Sequence, residues 1–320
     1  MYQRFYGLRE LPFELTANPK YLFFSARHRE ALSNLEYGLS MAKALTVLIG
    51  EAGTGKTTLL RAALQSEHCR SVRCVYLNNP ALTRDEFVEM LANRFGFGSD
   101  AACSKTVLLE RLERTLRERR LKGEITALVI DEAQSLTFDL LEEVRLLANI
   151  ETSSEKLLPL VLSGQPELAT RLNDPALRQL KQRVALRCEI TPLNLPETAA
   201  YIASRIKTAG GEASKLFTRE AVVLIHEFSR GIPRTISVMC DNALLGGMAL
   251  GRHPVDREIV NEVCSDFDLR GNDTNTPVDQ RPTETLTTSP LDDTAIEPHV
   301  PADVDEARAE KSRRFLFGGR

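Results

Sequence analysis

Residues 45–58 read Leu45-Thr46-Val47-Leu48-Ile49-Gly50-Glu51-Ala52-Gly53-Thr54-Gly55-Lys56-Thr57-Thr58. An apolar, partly β-branched run stops at a glycine-rich loop that satisfies G-x-x-x-x-G-K-[ST], and a helical pattern runs on from Thr58 to Gln65. Each residue type has a physical reason. Gly50, Gly53 and Gly55 permit backbone conformations that a Cβ forbids, so consecutive N–H groups converge on phosphate oxygens. Glu51, Ala52, Thr54 and Thr58 complete the cradle. Lys56 reaches the β- and γ-phosphates, the Thr57 hydroxyl faces a magnesium ion, and the helix start adds the positive end of its dipole. At ordinary glycine usage such a string arises by chance on the order of once in a hundred chains of this length. A plain glycine-rich turn is therefore the weaker account.

A second element lies downstream, where the apolar run Ile125–Ile130 ends in Asp131-Glu132. After a phosphate loop, an Asp at such a strand end is suited to hold magnesium, directly or through water, beside the loop threonine. A neighbouring carboxylate is suited to polarise water for in-line attack on the γ-phosphate, which assigns Glu132 as general base. The competing account makes both acids the N-cap of a helix over 134–149. An acid beside the metal-holding Asp makes water the acceptor, so the expected reaction is ATP hydrolysis and not transfer to a metabolite.

Three further positions belong to this expectation. Gln165, in Ser163-Gly164-Gln165-Pro166-Glu167, follows a strand and stands where open parallel sheets bind ligands, either positioning the water, touching the γ-phosphate or serving only the turn. The basic stretch Arg178-Gln179-Leu180-Lys181-Gln182-Arg183 offers an arginine that reaches a neighbouring subunit's γ-phosphate, with Arg183 ahead of Arg178. Arg234 opens a helix after Gly231 and Pro233. His226, within an apolar helix, reads as a packing residue.

Around these motifs, strand patterns at Leu45–Ile49, Arg73–Asn78, Ile125–Ile130, Leu158–Leu162 and Val184–Ile190 alternate with helical ones. That is the pattern of a parallel sheet wrapped by helices, an α/β fold. Thr83 with Glu86 forms a capping box, and Ser104 opens a further helix. After Pro192 only helices are expected, over 196–208, 218–228, 233–250 and 255–264. The division is thus 1–190 for the α/β domain, 191–268 for a small helical domain, and 269–320 for a Thr-, Pro- and Asp-rich tail of disordered composition. Arg313–Phe317 in that tail places aromatics beside basic groups.

The chain has 320 residues, 42% hydrophobic and 27% charged, with 41 Lys+Arg against 44 Asp+Glu for a net charge of −3. That balance argues against a generically basic nucleic-acid coat. No apolar stretch reaches the ~20 residues of a membrane span, and the charged N-terminus does not read as a secretory signal. Six Cys without a Cys-x-x-Cys pair fit small buried hydrophobes in a reduced cytosolic compartment and neither a zinc site nor disulfides.

The folded part resembles the AAA+ ATPases of the ExeA/GspA-like secretion family. The matching residues run from Met1-Tyr2, Phe5-Tyr6-Gly7-Leu8 and Pro12-Phe13 through Asn18-Pro19, Leu22-Phe23 and Tyr37-Gly38-Leu39. They continue through the phosphate loop, Ile130-Asp131-Glu132-Ala133-Gln134, Gly164-Gln165-Pro166-Glu167-Leu168, Arg178 to Arg183 and Gly231-Ile232-Pro233-Arg234. The resemblance implies a five-stranded P-loop NTPase core with a helical lid, ATP and Mg2+ as ligands, and assembly into a homo-oligomeric ring or partial ring. It makes Gln165 the first sensor, Arg234 the lid sensor and Arg183 the finger, and lays Tyr21 to His28 along the adenine. The short form resembles ATPases associated with exosortase (PEP-CTERM) and exopolysaccharide-export loci. The partner expected is an inner-membrane or envelope-assembly protein, and the location cytoplasmic, peripheral to the inner membrane.

Two other readings compete. One is a DNA-associated nucleotide switch resembling transposition helpers, motivated by the basic run Arg111 to Lys122, in which Glu110, Glu113 and Glu118 interleave. The other is a scaffold that binds ATP only to assemble.

Overall fold

In the computed structural model, which describes residues 1–15, 19–21, 23–78 and 81–266, five parallel strands form one sheet. They are β1 (Leu45–Gly50), β2 (Val72–Leu77), β3 (Ile125–Ile130), β4 (Leu160–Gly164) and β5 (Val184–Ile190), in the order β2-β3-β4-β1-β5. The three inner strands are buried throughout, whereas β2 and β5 at the edges mix buried and exposed positions. This is why β1 and β3 read as continuous apolar runs with no alternation.

Register places the carboxyl ends together. Ile49 pairs with Gly164, Ile130 with Leu162, Leu77 with Ile130, and Gly50 with Ile190. The loops after β1, β3 and β4 therefore leave the sheet side by side. In an open parallel sheet, that is where ligands bind.

Helices cover both faces. One face carries a cluster built on Phe87, Leu91, Leu112, Leu140 and Leu162; the other packs Leu35, Leu39, Leu59 and Leu60 against β-strand residues such as Leu48 and Val129. Local chemistry starts these helices. Thr83 and Glu86 form the expected capping box before Arg84–Phe95, and Ser104 caps Lys105–Leu121. The long helix Ala26–Ser40, capped by Ser25, and the short Tyr2–Tyr6 are additions to the elements read from the sequence.

After β5 the described chain is helical. Leu195–Thr208 opens with an Asn194–Glu197 capping box and is followed by Ala213–Leu216, Arg219–Ser229, Pro233–Ala249 and Arg257–Asp266. These helices share a separate core of Ile202, Ile225, Met239, Leu244 and Ile259. Tyr2, Leu8 and Phe13 join that core, so the opening segment, which sequence order groups with the α/β part, makes its apolar contacts with the helical part. The described residues as far as Asp266 belong to one compact unit. The expected tail, with Arg313–Phe317, lies outside the described residues.

Cys69, Cys74, Cys103, Cys188 and Cys240 are free thiols, and among the described residues no helix is long and apolar enough to cross a membrane.

Candidate active site

The glycine loop links the end of β1 to the helix Lys56–Gln65, whose N-cap Gly55 has φ +98° and gives no side-chain cap. The first N–H groups of that helix thus keep their donors for a ligand. Gly53 has φ +81°, and a Cβ there would meet the Cβ of Arg234 at 2.8 Å. The loop is shaped by close backbone approach, as the motif requires.

Lys56 is buried and donates from Nζ to the carbonyls of Gly50 at 2.8 Å and Glu51 at 3.0 Å. Burial lowers its pKa, opposed by the charges of Glu132 and Asp131. The two acids therefore help keep it a cation, the form that binds phosphate.

Thr57 and Asp131 meet directly, the threonine hydroxyl donating to Asp131 Oδ2 at 2.7 Å. Asp131 is buried. It also accepts the Tyr76 hydroxyl on Oδ2 at 2.7 Å, the Ser163 hydroxyl on Oδ1 at 2.7 Å, and the Glu132 N–H on Oδ1 at 3.1 Å. Burial first, and then the Asp131 carboxylate, push the Tyr76 phenol up, so it stays a donor.

Glu132 holds a left-handed backbone, φ 55°. For a non-glycine residue this is uncommon, and such residues cluster at functional sites. Its Oε2 accepts from Gln134 Nε2 at 2.7 Å. The helix beyond begins at Phe138 and is capped by Thr137, so Asp131 and Glu132 are not its cap. The single helix expected over 134–149 is instead a short turn, Ala133–Ser135, followed by Phe138–Leu147.

A cavity of about 380 Å³ opens over the loop. Gly53, Thr54, Gly55, Lys56, Thr57 and Thr58 line one side, with Glu132 beside them. Tyr21, Phe23 and His28 border it, and the helical part supplies Tyr201, Arg205 and Arg234. The backbone N–H of Arg234 donates to the Gly53 carbonyl at 3.2 Å. His28 is buried and binds the Thr54 carbonyl through Nε2 at 3.1 Å and Ser25 Oγ through Nδ1 at 2.8 Å. Burial lowers its pKa, and the neutral ring therefore carries its proton on Nε2. Arg205 is buried and donates to the Pro12 carbonyl at 2.6 Å and to the Tyr201 hydroxyl at 2.7 Å. Its guanidinium lies 4.9 Å from the Tyr21 ring centroid.

Not every expected residue enters this cavity. Gly50, Glu51 and Ala52 are loop residues whose side-chain positions fall outside its lining; the Gly50 and Glu51 carbonyls serve Lys56. Gln165 stands at the correct end of β4, but its N–H is held by Gln134 Oε1 at 3.1 Å, and it is Ser163 that contacts Asp131. Arg183 precedes β5, and Val184 pairs with Leu45, the first residue of β1, while Gly50 pairs with Ile190. The length of β5, at roughly 3.3 Å per residue, separates Arg183 from its own loop. Arg178 is exposed on the preceding helical turn. His226 accepts or donates a hydrogen bond with Thr198 at 2.9 Å, a packing role.

Sequence reading missed Tyr76, Ser163 and Gln134. Tyr76 and Ser163 are each one residue short of the carboxyl end of the strands flanking β3. A polar residue at that place in two apolar strands is the signal that would have found them.

The residues fit a phosphate-bound magnesium ion. Thr57 and Asp131 are hard oxygen donors, and among the described residues no cluster of three His, Cys, Asp or Glu could hold a metal alone. That is the donor set of Mg2+, which takes few protein ligands and completes its shell with substrate phosphates and water.

Four of the arginines between Arg111 and Lys122 pair with acidic residues of the chain. Arg114 pairs with Glu110, Arg117 with Glu113, Arg111 with Asp100 and Arg120 with Glu155.

A phosphate loop after β1, an acidic pair after β3 and a helical layer closing over both define an AAA-type P-loop NTPase, a nucleotide-binding fold class. Residues 40–172 match the AAA domain model. The chain is 40% identical over 255 residues to General secretion pathway protein A of Aeromonas hydrophila, covering 80% of this chain and 46% of that protein. It belongs to the ExeA/GspA-like AAA+ family and spans less than half the length of that curated relative. Among solved structures, the fold is similar to Drosophila ORC bound to DNA, with 22% identity, TM-score 0.59, and coverage of 80% of this chain and 64% of that one. It is also similar to the ORC2 protein of Aeropyrum pernix in its ADP form, with 16% identity, TM-score 0.57, and coverage of 80% and 72%.

Proposed function

We propose that this protein is a magnesium-dependent ATPase that couples hydrolysis to a secretion or envelope-assembly partner. The observation that carries the chemistry is the Thr57–Asp131 hydrogen bond, with Glu132 on the wall of the same cavity. In this reading Lys56 and the loop N–H groups hold the β- and γ-phosphates, and the aromatic rings of Tyr21 and Phe23 border the base. Thr57 and Asp131 would hold Mg2+, which supplies charge neutralisation between the phosphates. Glu132 takes a proton from water as the water oxygen attacks the γ-phosphorus and the bond to the bridging oxygen breaks. Gln134 aims the Glu132 carboxylate and is tied to Gln165, which gives Gln165 a sensing role through that pair. Arg234 senses phosphate from the helical lid. Arg183, far from its own loop, acts on a second copy in a homo-oligomer, with Arg178 as the alternative.

The coupling rests on the relative's name, which refers to general secretion. The resemblance to exosortase-associated ATPases supports an exosortase-associated or exopolysaccharide-export setting, at the cytoplasmic side of the inner membrane. In this picture residues 1–190 are the nucleotide domain and 191–268 the lid.

The test is turnover with Mg2+ and with EDTA, alongside Glu132→Gln. Metal-dependent release of phosphate is expected from the parent. The variant should bind ATP yet hydrolyse about 10²- to 10⁴-fold more slowly; parental turnover in the variant refutes the base assignment. Addition of native inner membranes should raise turnover per subunit, and a flat response counts against the membrane partner.

A further inference from the structure

Asp131 is held more completely than a metal-holding carboxylate needs to be. An ionised carboxylate has about four acceptor sites. Here four donors take them: Thr57 and Tyr76 hydroxyls on Oδ2, the Ser163 hydroxyl and the Glu132 N–H on Oδ1. Tyr76 comes from β2 on one side of β3 and Ser163 from β4 on the other, so the carboxylate is clamped across the width of three strands. Both clamping side chains donate from neutral hydroxyls. Neither introduces a second charge.

From this geometry we infer that Tyr76 and Ser163 are positioning residues: they fix the Asp131 carboxylate so that it orients the Thr57 hydroxyl, and they thereby set the affinity of the site for its divalent cation. The hydroxyl of Thr57 spends its proton on Asp131 Oδ2, which leaves its lone pairs for the metal. With its acceptor sites filled, Asp131 acts through Thr57. This inference rests on the magnesium-ATPase reading of the same site.

Outer partners of metal ligands change metal affinity by about 10- to 100-fold when removed. The experiment uses the full chain and a fluorescent ADP analogue, and reads the Mg2+ concentration that half-saturates the metal-dependent signal. Tyr76→Phe keeps the ring and removes only the hydroxyl. A midpoint raised about 10-fold, with turnover recovered by excess Mg2+, supports the inference. An unchanged midpoint in a folded variant overturns it, as does lost turnover that excess Mg2+ leaves unrestored. Should Tyr76→Phe fail to fold, Ser163→Ala is read in the same way. Lys56→Ala is run in parallel. If that variant binds the analogue as the parent does, the nucleotide reading itself falls; if it does not bind, while Tyr76→Phe matches the parent, only the clamp is wrong.

Discussion

Thr57 and Asp131 stand 74 positions apart in the chain and share a 2.7 Å hydrogen bond between hydroxyl and carboxylate. The contact joins the loop after β1 to the strand end of β3, although β4 lies between those strands in the sheet. It turns two separate strings of sequence into one site.

Lys56→Ala should abolish measurable nucleotide binding. A buried ammonium placed to reach phosphate makes charge-assisted hydrogen bonds worth roughly 1.5–3 kcal/mol each, so losing one raises Kd by about 10- to 150-fold and losing two by about 10²- to 10⁴-fold. Titration calorimetry with ADP checks this, and a Kd within twofold of the parent's contradicts it.

Arg183→Ala should leave binding intact and lower turnover by about 10³-fold, the scale of an arginine supplied in trans. Turnover per subunit of the parent should climb with protein concentration, and that climb should vanish in the variant. A parent whose specific activity is flat from dilute to concentrated solution would show that no second copy is required.

Gly231→Ala should destabilise the chain. Gly231 has φ +72°, and its added Cβ would fall 2.0 Å from the Leu193 carbonyl oxygen, which is backbone. The left-handed conformation alone costs about 1–2 kcal/mol, and the displaced Leu193 adds to it. The melting temperature should drop by roughly 5–10 °C, taking about 2–4 °C per kcal/mol for a chain of this size. Calorimetric melting within a degree of the parent's would contradict the clash.

His28 gives the pH dependence. Burial lowers its pKa from the ordinary 6.5, so below about pH 6.5 the unfolded chain binds a proton that the folded one resists. Stability is therefore full above that pH and declines as acid is added, until the lower folded-state pKa is passed, with a slope of at most about 1.4 kcal/mol per unit. Denaturant titrations from pH 7.5 to 5 should show a shallower decline for His28→Gln. Parallel lines for parent and variant would remove His28 as the source.

The phosphate loop and the Asp131-Glu132 pair were legible because each is a local string whose neighbours already spell strand and turn. The same holds for Thr83–Glu86 and for the helical run after Pro192. Tyr76, Ser163 and Gln134 were not, since their roles exist only once β2 and β4 are known to flank β3. Gln165 follows β4 directly, but the polar side chain of that strand that meets Asp131 is Ser163. The docking of Tyr2 and Phe13 into the helical core joins residues some two hundred positions apart, which no windowed pattern can register.

The peptide bond between Gly53 and Thr54 is also a mechanical joint, because its carbonyl receives the first N–H of the turn carrying Arg234. When the loop shifts around a ligand, the helix Pro233–Ala249 must travel with it or let go. The 17-residue helix is thus a rigid extension of the phosphate loop, tied to it at the Arg234 end and free of that tie at Ala249.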